Sequence, residues 1–76
     1  MKGVLVYLPE RDRMAILCEG EQNPEELHCG DSLCVWNHEH ARWEETRIEY
    51  SISNDWYLVG KNAKGISSLQ GRKVKT

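Results

Sequence analysis

No phenylalanine occurs in this chain, no acidic residue follows Gly60, and no apolar run is long. Without Phe, the large rings are three Trp and three Tyr, whose polar handles suit a shell packed at one end and wet at the other. The stretch Val4-Leu5-Val6-Tyr7-Leu8 is too short for a signal core or a membrane span, and Pro9-Glu10-Arg11-Asp12 follows it where a cleavage site would stand. The protein is therefore expected to be soluble and cytoplasmic, with no membrane partner. Cysteine is scarce and odd in number. Cys18, Cys29 and Cys34 make no disulfide framework, and their thiols are expected to stay reduced. A chain of 76 residues is one domain, residues 1–76, with a core too small for a deep enzyme cleft.

What is present alternates with period two. Trp43 to Gly60 reads as two strands, Arg42 to Tyr50 and Trp56 to Gly60, joined by the turn-forming Ser51 to Asn54. Earlier strands are expected at Gly3 to Leu8, Met14 to Cys18 and Leu33 to Trp36. Between them, Glu19 to Asp31 carries Gly20, Asn23-Pro24, Gly30 and five acids, and reads as a long loop with one helical turn at Pro24 to Leu27. Beyond a loop from Lys61 to Ser68, Leu69 is an apolar plug, and Gly71 to Lys75 suits a final strand with Val74 inward and Lys73 and Lys75 outward. Trp43 and Ile48 have opposite parity, so Trp43 lies on the outer face or a bulge intervenes. The expected fold is all-β: a small, partly open SH3-like barrel of five or six short antiparallel strands, with an OB-like barrel as the competing topology.

Charge is unevenly placed. All twelve acids lie before Lys61, whereas Lys61, Lys64, Arg72, Lys73 and Lys75 follow Gly60 with no acid among them. Such residues make phosphate contacts in a nucleic-acid binder, or protect a terminal strand from edge pairing. The protective reading is preferred.

Cys29, Cys34, His38 and His40 place two thiols and two imidazoles within twelve residues. Their spacing is poor for zinc, because Cys34 sits inside an apparent strand and not on a knuckle; a buried Cys34 and two exposed turn histidines is the preferred account. No cofactor is expected. His28-Cys29-Gly30-Asp31 lacks an oxyanion hole and a pocket, so Cys29 is expected to pack beneath a turn and the protein not to be an enzyme. No phosphate-cradling glycine loop is present.

The run Leu27-His28-Cys29-Gly30-Asp31, with Trp43, Thr46-Arg47-Ile48-Glu49 and Asp55-Trp56-Tyr57-Leu58-Val59-Gly60, resembles the uncharacterised family known as domain of unknown function 5348. The opening Gly-Val-Leu-Val-Tyr and closing Gly-Arg-Lys-Val-Lys extend that resemblance over most of the chain. It implies a compact β-rich domain in a Gram-positive bacterial or mobile-element setting, with no activity to carry over. Cys18, Cys34 and the His38 to His40 turn are outside the pattern.

Outer aromatics therefore carry the functional expectation. Trp43 and Arg47 share parity, and with Glu49 and Tyr57 they form the expected surface for a protein partner, acidic enough to favour a basic one. Nucleic-acid binding through Lys61, Lys64, Arg72, Lys73 and Lys75 is the alternative, and self-association through an open Val74 strand a third.

Overall fold

The alternation builds seven strands, seen in a computed structural model that describes residues 2–76. They are β1 (Lys2–Leu8), β2 (Arg13–Cys18), β3 (Glu25–Glu26), β4 (Ser32–Asn37), β5 (Arg42–Ser51), β6 (Asp55–Leu58) and β7 (Lys73–Lys75), with the short helix α1 (Ile66–Leu69) before β7. All pair antiparallel in one open sheet, in the order β3-β2-β1-β7-β4-β5-β6. The fold is all-β, with one strand more than expected.

That extra strand replaces the helical turn expected at Pro24 to Leu27. Glu25 and Glu26 pair with Ile16 and Ala15, and the Leu27 amide donates to the Met14 carbonyl at 2.9 Å. The extended course brings Leu27 into the core, and burial of that side chain outweighs local propensity.

Seven strands spaced about 4.8 Å apart would span roughly 29 Å if flat. Yet Ile16 of β2, Val35 of β4, Leu58 of β6 and Leu69 of α1 share one core cluster, so the sheet curls round its inner face. The helix completes the curl. It packs against both β1 and β6, with Leu69 fully buried as the plug the sequence suggested. Gly65 N–H to the Trp56 carbonyl (2.7 Å) and Gly71 N–H to the Leu5 carbonyl (2.7 Å) tie its two ends to the strands it separates. The sheet stays open, with a helix and not strand pairing between β1 and β6.

β7 lies inside the sheet, between β1 and β4. This corrects the reading of Lys73 and Lys75 as guards of a terminal edge, and it removes the open Val74 strand proposed for self-association. Both expectations failed for one reason: the pairing joins the two ends of the chain, beyond the reach of local pattern. The actual edges are covered otherwise. β3 is two acidic residues, and β6 is screened by the Tyr57–Lys64 bridge and by Leu58 N–H to the Ala63 carbonyl (3.1 Å).

Two backbone positions test this geometry. At Gly3 the strands cross so closely that a Cβ would overlap the Leu17 carbonyl oxygen, whereas Ala41 holds a left-handed φ of 50° in the β4–β5 turn. Gly3→Ala should cost about 1–3 kcal/mol of stability. Ala41→Gly should gain about 0.5–1 kcal/mol, since relief of left-handed strain exceeds the entropy of glycine. Urea titrations of the two variants should thus move in opposite directions.

Candidate functional site

The inward residues decide which side chains face out. With Val74 fully buried, Lys73 and Lys75 must point away from the core. Burial of Leu33 and Val35 sends Cys34 and Trp36 outward on β4; burial of Thr46 and Ile48 sends Trp43, Glu45 and Arg47 outward on β5. On β1, buried Leu5 leaves Lys2 and Val4 on the same outer side. The β4–β5 register runs unbroken from Ser32–Arg47 to Asn37–Arg42, so no bulge intervenes and Trp43 is an outer residue.

Cross-strand pairing then assembles a face. Lys75 sits between Lys2 of β1 and Cys34 of β4, Lys73 is opposite Val4, and Trp36 is opposite Trp43. The two indoles meet edge to face at 5.3 Å between centroids, and the Lys75 ammonium lies 4.8 Å over the Trp43 ring. Such a contact contributes about 0.5–1 kcal/mol at an exposed site, and holds the ring in one orientation. The Trp36 Nε1–H donates to His38 Nδ1 at 3.2 Å, fixing the second indole.

Three shallow hollows border β7 on this side. One, about 640 Å³, is lined by Trp43, Lys2, Val4 and Lys73 together with Glu19 and Glu21. A second, about 380 Å³, shares Val4 and Lys73 and adds Trp36, His38 and Arg72. The third, about 480 Å³, runs past Cys34, Glu45, Arg47 and Lys75. The first two, joined through Val4 and Lys73, make a furrow that carries Trp43, Trp36 and the cations, with Glu19 and Glu21 also in its lining.

The expected aromatic and acidic surface is spread out. Glu49 pairs with Tyr57, but Trp43 lies six residues away along β5, a distance of about 20 Å in a strand. Arg47 is opposite Ser32, and the cation over Trp43 is Lys75. Glu44 faces the other way, accepting from Lys61 (2.8 Å) and Arg42 (3.0 Å).

The five late basic residues also separate. Lys61 is neutralised by Glu44, Lys64 forms the bridge opposite Tyr57, and the Arg72 Nε donates to the Ser68 carbonyl at 2.8 Å. Lys73 and Lys75 alone among them join Trp43 on the outer face of a strand. Lys2 and Trp36, which sequence reasoning missed, complete the group. Trp36 shares parity with Cys34, whose expected burial pointed it inward; Lys2 gave no signal, because its neighbour in space is at the far end of the chain.

Cys29, Cys34, His38 and His40 stay apart. Cys29 is exposed and does not pack beneath its turn; Cys34 is half-buried on the outer face where a buried thiol was expected. The cause is register: Gly30 N–H to the Ile48 carbonyl (2.8 Å) and Ile48 N–H to the Asp31 carbonyl (3.0 Å) pin this segment to β5 with Leu33 and Val35 inward. The turn is closed locally, by the His28 amide donating to the Asp31 carboxylate at 2.8 Å. Among the described residues, no three His, Cys, Asp or Glu side chains are placed to hold a metal ion.

Residues 3–76 match the family described as domain of unknown function (DUF5348). The chain belongs to that family. A crystal structure of a protein from Ruminococcus gnavus is similar over 100% of both chains, with 36% identity and a TM-score of 0.81. No curated protein matches this DUF5348 chain.

In this DUF5348 protein the strongest electrostatic feature lies off the furrow. Hydrogen bonds from Lys61, Asn37 and Arg42 hold the Glu44 carboxyl at a pKa of about 2, against an ordinary 4.5. A depressed folded-state pKa stabilises the fold above the unfolded value, and that contribution is lost as pH falls from about 4.5 through about 2. Lys61→Met should raise the Glu44 midpoint toward 4.5 and flatten the stability profile in that window. Carboxyl NMR titration reads the first effect, and acid-dependent urea midpoints the second.

Proposed function

We propose that this protein is a small cytoplasmic, non-enzymatic binding module, SH3-like in its curled β1-β7-β4-β5-β6 sheet, that takes an anionic partner on the outer face of β1, β7, β4 and β5. The observation that carries this reading is the Lys75 ammonium over Trp43, with Lys73 and Lys2 on neighbouring outer positions. Of the acids near Trp43 on β5, Glu44 is satisfied by its own cations and Glu49 is at the distant end of the strand, which leaves Glu45 as the one carboxylate of the strand on this part of the outer face. On a chain of net charge −2, a local group of cations meets a polyanion against the overall field, so the contact depends on these particular side chains.

Heparin-agarose tests it with a generic polyanion. Lys73→Gln, Lys75→Gln should elute at clearly lower salt than the wild type, while Lys61→Gln, Lys64→Gln, with the same change of charge off the face, should elute close to it. Equal shifts for the two variants, or wild-type flow-through at low salt, would overturn the reading.

A further inference from the structure

We infer that the occupant of this face is single-stranded nucleic acid, laid along the β7 furrow with a base on Trp43 and phosphates at Lys2, Lys73 and Lys75. The inference rests on the polyanion reading above and names its partner. Three observations carry it.

The first is the mixture of flat rings and cations. An acidic peptide would use the lysines, but offers the half-buried faces of Trp36 and Trp43 nothing to stack on. Nucleobases supply a π-face at every step, and aromatic platforms flanked by cations are the general solution for binding single strands without reading sequence. Lys75 already holds the Trp43 ring in place, so little ordering remains when a base arrives.

The second is continuity. Two of the hollows share Val4 and Lys73, and the Lys75 that borders the third lies over the Trp43 that borders the first. Lys73, then Lys75 with its cross-strand partner Lys2, thus succeed one another along β7. Glu19 and Glu21 line the first hollow and Glu45 the third beside these cations, so the strand's phosphates are expected only where Lys2, Lys73 and Lys75 stand.

The third is what the fold disfavours. A duplex buries its rings and is read by an element inserted in a groove, whereas the helix here spans only Ile66–Leu69. An extended peptide adds to an open sheet edge, but β3 is short and acidic and β6 is screened.

The test is fluorescence anisotropy with a fluorescein-labelled oligothymidylate longer than the roughly 4–16 nucleotides that one small barrel covers. Expected are binding with indole quenching and a log–log salt slope of about −2, from three phosphates at roughly 0.7 each. Lys73→Gln, Lys75→Gln should remove about 1.4 of that slope. Trp43→Ala should weaken binding about 5- to 150-fold; if that variant fails to fold, Trp43→Leu and the lysine variant carry the comparison. Equal or tighter binding of a same-length duplex, or of polyglutamate, would overturn the inference while leaving the anionic face intact. Heparin retention without oligothymidylate binding would do the same, whereas loss of both would overturn the two readings together.

Discussion

The insertion of β7 between β1 and β4 is the contact on which this structure depends. Without it the sheet is two separate pieces, β3-β2-β1 and β4-β5-β6, each with an unpaired edge and half a core. Three residues make the join: Lys73, Val74 and Lys75 pair with Val4, Gly3 and Lys2 on one side, and Val74 and Lys75 pair with Val35 and Cys34 on the other. The Leu5 amide extends the seam to the Arg72 carbonyl at 2.9 Å. Because the partners are so far apart in sequence, closing this seam costs chain entropy that only the shared core can offset.

The same three residues place the candidate face. Val74 is fully buried between the halves, and strict alternation then commits its two lysine neighbours to the outside, beside Trp43. Stability and binding surface are therefore coupled through one register. A slip of one residue would bury two ammonium groups and expose the valine, at a cost large enough to hold the face in place.

Polar groups inside and at the rim follow the same logic. The buried Thr46 hydroxyl donates to the Val59 carbonyl at 2.7 Å, which ties β5 to the chain leaving β6. The Tyr7 hydroxyl donates to Asp12 at 2.7 Å, bracing the β1–β2 turn and raising the phenol above its usual pKa. Trp56 Nε1 is, among the described residues, the buried side-chain polar atom with no hydrogen-bond partner; its ring packs edge to face on Tyr50 at 5.2 Å. Beyond that pair the hairpin leaves the core: Ile52, which shares parity with Ile48, is 99% exposed because no opposing element reaches the turn.

By itself the sequence determined what alternation and turn chemistry control: an all-β chain, the four main strands β1, β2, β4 and β5, the Ser51 to Asn54 turn, Leu69 as a plug and Val74 as an inward residue. Those features are local, since period two and turn residues act over a few positions. Only the tertiary structure decided where β7 inserts, that Glu25–Glu26 is extended, that Lys61 is neutralised by Glu44 and that Trp43 belongs with Lys75 and Lys2 instead of Tyr57 and Glu49. Each of these is a pairing across the curled sheet. Alternation says which way a side chain points, but its neighbour there is set by which strands lie side by side, and that order follows from burying one small core from both ends of the chain.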